Sequence, residues 1–191
     1  MTEKLYSNIE YNYKLIEERI TEAAIKSGRV RDDITFLAAT KTVDAERINY
    51  AISLGLKYIG ENKVQELLSK YEDYDLENAS LQFIGHLQSN KVRQIVGKVD
   101  LIQSVDSVKL AKEISKQSLK NNVNSDVLIE VNIGEEESKS GIKAEQLYEL
   151  LEENKYCFDS SSPHSFFANW LASIGFSLKV FSSTFRAWYV F

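Results

Sequence analysis

The chain has 191 residues with a formal net charge of −5, and 27% of its residues are charged against 43% hydrophobic. That balance suits one soluble globular domain with a sizeable core and argues against nucleic acid as the main partner, because phosphate neutralisation needs a basic face. The single cysteine, Cys157, excludes an intramolecular disulfide and fits a reducing compartment. The polar, charged N-terminus carries no secretory signal pattern, so a cytoplasmic location is expected.

Ile9, Tyr13, Ile16, Ile20 and Ala23 recur at spacings of four and three, which predicts a helix from about Glu3 to Lys26, closed by Ser27-Gly28. A strand follows at Ile34–Ala39. The next helix runs from about Asp44, a good N-cap, to Gly55, with Ile48, Ala51 and Ile52 inward. Lys57-Tyr58-Ile59 reads as a second strand and leads through Gly60-Glu61-Asn62 into a helix with Val64, Leu67 and Leu68 inward. Leu81–Ile84 reads as a third strand, followed by a helix capped near Ser89 and ending at Gly97. Asp100-Leu101-Ile102 is a fourth, before a helix with Val108, Ala111 and Ile114 inward. Val127–Ile133 is a fifth, followed by a loop at Gly134–Gly141 and a helix around Leu147, Leu150 and Leu151.

Strands that start near 34, 57, 81, 100 and 126, each separated by a helix, are βα units, and such units build a parallel sheet. No G-x-G-x-x-G follows the first strand, which disfavours a dinucleotide-binding fold. The expected fold class is α/β, a (β/α)8 barrel. It is expected to be incomplete, with about five βα units behind an N-terminal helix, because a full barrel needs on the order of 250 residues.

Barrel chemistry sits at the C-terminal ends of the strands. That rule gathers Lys41, Glu61, Asn62, His86, Gln88, Ser104, Asp106 and Asn132 onto one face. Lys41 ends the apolar run Phe36–Thr40. It is either a strand-end ammonium reaching solvent on its long stem or an amine able to attack a carbonyl and form a Schiff base. His86 is either a ligand contact or a hydrogen-bonded histidine in a βα turn. Glu61, Gln65 and Glu66 read as turn and helix-start groups, since an acid in a first helical turn is favourable on dipole grounds alone.

The segments FLAATK at 36–41, GENKVQE at 60–66, FIGHLQSNK at 83–91, QSVD at 103–106 and VNIGEEESKSGI at 131–142 carry a family resemblance. The chain resembles the pyridoxal-phosphate homeostasis proteins, single-domain relatives of the N-terminal barrel of alanine racemase, over about residues 5–153. The resemblance implies a pyridoxal 5′-phosphate (PLP) carrier with Lys41 forming the Schiff base. It also implies Asn62 and Asn132 near the cofactor, no turnover, and PLP-dependent apoenzymes as recipients, and His86 is added as a candidate cofactor contact on its chemistry. No membrane or nucleic-acid partner is implied, and a monomer is expected. The competing implication is a PLP-dependent amino-acid racemase, which would need a second base on the opposite side of the cofactor. A third is a fragment that no longer holds PLP. Lys63 departs from the family, standing where many relatives carry an aromatic residue.

The larger departure is compositional. Residues 156–191 hold seven of the nine Phe, both Trp and the only Pro, but just three charged side chains, Asp159, Lys179 and Arg186. The family's later strands and phosphate-binding loop are not found in residues 154–191. The expectation is therefore a partial barrel over 1–155, an out-of-frame or unrelated tail over 156–191, and weakened PLP binding. Residues Ser160–Leu178 are uncharged, but the run opens on six Ser, Pro or His residues and falls short of the roughly 20 apolar residues that span a bilayer.

Overall fold

The computed structural model of the chain describes residues 2–132 and 141–142, together with three short segments at 171–173, 177–180 and 187–189. The expected loop over 134–140, the helix around Leu147 and Leu150-Leu151, and the proposed change of sequence character at 155–156 lie outside the described residues.

Five strands form the parallel part of the sheet: β1 (Ile34–Ala39), β2 (Tyr58–Glu61), β3 (Ser80–Phe83), β4 (Leu101–Val105) and β5 (Asp126–Ile129). Each pairs in parallel with the next. Helices α1 (Thr2–Lys26), α2 (Ala45–Ser53), α3 (Val64–Lys70), α4 (Val92–Ile95) and α5 (Val108–Asn121) precede and connect them. The strands curl as part of a barrel, with the helices on one face of the sheet. On that face Ile59, Phe83, Ile102, Val105 and Ile129 pack against Ile48, Leu67, Ile95 and Leu110 in one core. The expected N-terminal helix, the five parallel strands and the four helices that connect them are found, and the helix of the fifth unit lies outside the described residues.

Helix ends follow the sequence closely. The Asp44 side chain accepts from the Arg47 amide and caps α2. At the far end, Gly55 at φ +112° lets the Leu56 amide reach back to the Ala51 carbonyl and the Gly55 amide to that of Ile52, which closes the last turn. The Ser107 side chain caps α5 in the same way, accepting from the Leu110 amide.

The structure corrects three details. The buried stripe of α1 is turned from the expected one. Ala24 is buried, while Ala23 is exposed and Ile16 is 39% exposed. The cause is anchoring: the Tyr13 ring stacks on Phe36 of β1, and Glu17 binds Arg31 at 2.6 Å. Second, the helix expected from Ser89 to Gly97 is a 3-10 turn, Ser89–Lys91, followed by a single α turn that ends at Ile95. Gln88, not Ser89, stands at its cap, without a side-chain bond, and Val96 leaves helical geometry at ψ 127°. Third, β5 stops at Ile129. Beyond it Val131 forms an isolated parallel bridge with Ile142, sealed by bonds from the Ile142 amide to the Glu130 carbonyl and from the Asn132 amide to the Ile142 carbonyl.

The described segments of the tail form strands, which the sequence reading did not assign. Strand β8 (Ala187–Tyr189) pairs in parallel with β1, and β7 (Ser177–Val180) and β6 (Leu171–Ser173) continue the sheet in antiparallel fashion. The order across the sheet is β5-β4-β3-β2-β1-β8-β7-β6, which leaves β5 at one edge. Short runs of β-branched and aromatic residues separated by serines carry no period strong enough to announce such strands. Among the described residues no helix is long and apolar enough to cross a membrane.

Candidate functional site

Alternation along β1 sorts its side chains. Phe36 and Ala38 pack toward the helices, and Thr40 bonds to Glu61 on that same side. Leu37 and Ala39 therefore fall on the barrel-facing side, and Lys41 follows in the turn at the C-terminal end of the strand. The β1–β2 register pairs Ala39 with Gly60, and the Thr40 amide extends it by donating to the Gly60 carbonyl at 2.9 Å. The parallel pairing sets the C-terminal ends of β1 and β2 side by side, with Lys41 in the turn that follows β1 and Asn62 directly after β2. Lys41 is exposed, and its ammonium has no hydrogen bond or ion pair among the described residues.

Lys41 sits in a four-residue turn closed by the Val43 amide donating to the Thr40 carbonyl at 3.2 Å. Its next residue, Thr42, is left-handed at φ +65°. A β-branched side chain is a genuine outlier there, and such strain persists only where the surroundings over-determine it. Glu66 of α3 supplies part of that constraint by accepting the Thr42 amide. That bond, together with one from Lys70, holds the Glu66 carboxyl below its ordinary range.

Beneath the turn lies a network on the helix side of the sheet. Glu61, the last residue of β2, is fully buried. Its Oε1 accepts from Thr40 Oγ1 at 2.8 Å, Lys70 Nζ at 2.7 Å and the Tyr74 hydroxyl at 2.7 Å. Lys70 Nζ donates further to the carbonyls of Val43 at 3.0 Å and Thr40 at 3.3 Å, and to Glu66 Oε1 at 3.0 Å. Burial, reinforced by Glu61, raises the Tyr74 hydroxyl far above the ordinary tyrosine range. Sequence reasoning placed Glu61 at a turn and passed over Lys70 and Tyr74. The one available signal was the Glu66–Lys70 spacing of four, a helical ion-pair spacing.

Asn62 follows Glu61, and its Oδ1 is buried without a hydrogen-bond partner. Gly85 presses on its backbone: a Cβ at Gly85 would meet the Asn62 carbonyl oxygen at 2.1 Å. Gly60 is confined more softly, by side-chain methyls of Leu37 and Ile84 that a Cβ would meet at 2.9 Å. A register shift in β4 between Ile102 and Val105 turns both of those residues to the helix side. Such bulges often stand beside sites, where they re-aim a side chain. The bulge contains Ser104, whose Oγ is likewise buried and unpartnered, and Gln103, which bonds to Gln82 of β3.

The remaining candidates divide. Val131 packs toward the helices, so Asn132 falls by alternation on the barrel-facing side. His86 is 66% exposed in side chain, and its Nδ1 lies 3.1 Å from Asp106 Oδ2, joining the loops after β3 and β4. Gln88 and Lys63 are exposed. A cavity of about 450 Å³ lies at the other end of the strands, lined by Tyr13, Glu17, Arg31, Gly55, Lys57 and Tyr58 among others. None of the unpartnered buried oxygens of Glu61, Asn62 and Ser104 opens into it.

Residues 7–168 match the family described as the alanine racemase N-terminal domain. This chain belongs to that family. It is 51% identical over 138 residues to the pyridoxal phosphate homeostasis protein of Aquifex aeolicus, covering 71% of this chain and 59% of that one. It is 35% identical to the protein of the same name from Escherichia coli, covering 75% of this chain and 63% of the relative. The chain thus spans about three-fifths of the length of the curated relatives it matches. Among solved structures, PipY of Synechococcus elongatus with PLP bound superposes with a TM-score of 0.59 at 28% identity, over 70% of this chain and 63% of that one. An alanine racemase from Streptomyces coelicolor, 13% identical with a TM-score of 0.59 over 79% of this chain and 39% of that one, shares the fold.

Proposed function

We propose that this chain holds PLP for intracellular homeostasis, bound as a Schiff base on Lys41, without turning over a substrate. The observation that carries this reading is an exposed Lys41 amine, without a hydrogen bond or ion pair among the described residues, at the C-terminal end of β1 and beside the end of β2 that carries Asn62. The similarity to homeostasis proteins and to a PLP-bound relative supports it. The polar groups fit such a cofactor: Asn62 Oδ1 is a buried acceptor and Ser104 Oγ a buried hydroxyl, neither hydrogen-bonded among the described residues, and PLP brings polar substituents together with an aldehyde for the lysine. Asn62 and Asn132 would orient the ring. His86, held by Asp106, belongs to the rim. In this reading the carrier is a cytoplasmic monomer and its recipients are PLP-dependent apoenzymes.

Two solution measurements test the proposal together. Purified protein mixed with PLP should gain the visible absorption band of a Schiff base, and D- or L-alanine added to that mixture in deuterated water should exchange no α-proton beyond the rate with free PLP. Absence of the band would overturn the binding claim. Exchange above background would make the chain an enzyme.

A further inference from the structure

We propose that Lys70 is the positioning residue of the turn that presents Lys41. This rests on the reading of Lys41 as the PLP amine, but its structural half stands apart from it. The Lys70 side chain is only 12% exposed, and a buried ammonium persists only when its donors are matched. All its acceptors lie around one turn. Two are the carbonyls of Thr40 and Val43, which bracket Lys41 and Thr42. The other two are the carboxylates of Glu61, fixed at the end of β2, and Glu66, which also takes the Thr42 amide. One cation thus ties both ends of the turn to β2 and α3.

The strain at Thr42 explains why the turn needs this. A non-glycine residue in the left-handed region costs roughly 1–2 kcal/mol, so a turn held only by the Val43–Thr40 bond would relax toward ordinary φ. The backbone direction at Lys41 would change with it, and the amine would leave its place at the strand end. The Lys70 contacts, with the Glu66–Thr42 bond, hold the strained form. Lys70 takes no part in bonding to PLP; it sets where the reacting amine stands.

The test is Lys70→Met made together with Glu61→Gln and compared with Glu61→Gln alone; the pair keeps the stem, removes the cation and leaves no unpaired charge at the buried Glu61 position. Two readouts are followed: amide hydrogen exchange of the protein without ligand, and the rate at which added PLP produces the Schiff-base band. A lost charge-assisted hydrogen bond corresponds to one to two decades, so exchange at the Thr42 and Val43 amides should rise at least about tenfold while β2 and β3 amides keep their protection. PLP capture should slow by a similar factor, and Thr42→Gly in the double-variant background should restore much of it, because glycine adopts φ +65° without strain.

Unchanged exchange at Thr42 and Val43, or a uniform rise across β1–β3, would overturn the proposal. If the double variant does not fold, Glu66→Ala decides: it leaves Lys70 three acceptors, so Thr42 should lose protection while Val43 keeps it, and equal loss at both would refute the clamp. If PLP proves not to use Lys41 at all, only the capture arm fails, and the exchange arm still decides the role of Lys70.

Discussion

Gly85→Ala puts the packing beneath the site to its sharpest test. The new Cβ would lie 2.1 Å from the Asn62 carbonyl oxygen and 2.7 Å from that residue's carbonyl carbon and Cα. Ordinary contact begins near about 3.5 Å, so the two loops must separate by more than about 1 Å. Every clashing atom is backbone, and none can rotate away. Gly85 is not itself left-handed, which makes the whole effect steric. Overpacking against backbone sits at the upper end of its usual range, about 3 kcal/mol. With a urea m-value of about 2 kcal/mol/M, the unfolding midpoint should fall by about 1.5 M. Gly28→Ala is the matched control. Gly28 is left-handed at φ +74° with nothing within 4 Å of a built Cβ, so it should lose only the roughly 1–2 kcal/mol of the left-handed conformation. A Gly85→Ala midpoint no lower than that of Gly28→Ala would refute the close approach of the β3 loop to Asn62.

Other changes have equally definite outcomes. Leu67→Ala empties a fully buried position between α3 and the sheet and should lower stability by about 2–5 kcal/mol in urea unfolding. Ser107→Ala removes the α5 cap, costing about 1 kcal/mol and roughly 3 °C in melting temperature. Glu66 has a lowered pKa, so its support of the Thr42 turn is full above the ordinary carboxylate value of about 4.3 and fades as pH falls through the lowered one. Intrinsic-rate-corrected exchange at the Thr42 amide should rise only in that acid window, and a pH-independent rate would contradict this. Tyr74 has a raised pKa, chiefly from burial, so its contribution is full below the ordinary tyrosine value of about 10 and is lost as pH climbs above it. Alkaline titration at the tyrosinate absorbance should show Tyr74→Phe lacking one late, unfolding-linked ionisation; an early one would disprove the burial.

The fold was legible because period and punctuation agreed. Phe36–Ala39 is an uninterrupted apolar run, Asp44 and Ser107 are cap residues, and Gly28 and Gly55 end their helices where left-handed backbone is needed. Lys41 and Asn62 were legible as strand ends by the same logic. The Glu61–Lys70–Tyr74 network was not, because its members are nine and thirteen residues apart and meet only once α3 folds back over β2. A buried ion pair has no local pattern: Lys70 reads as an ordinary last-turn cation until the sheet supplies its acceptors. The bulge that frames Ser104 was hidden for a related reason. β4 is buried on both faces, and a strand of that kind shows no alternation to break.

The central claim is that Lys41 is the residue that takes PLP. Borohydride reduction of the protein with PLP fixes the linkage, and a modified lysine resists trypsin. Reduction should therefore yield one dominant labelled peptide, Asp32–Arg47, uncut at Lys41. Label spread over the surface lysines, or concentrated on the peptide containing Lys70, would contradict the account.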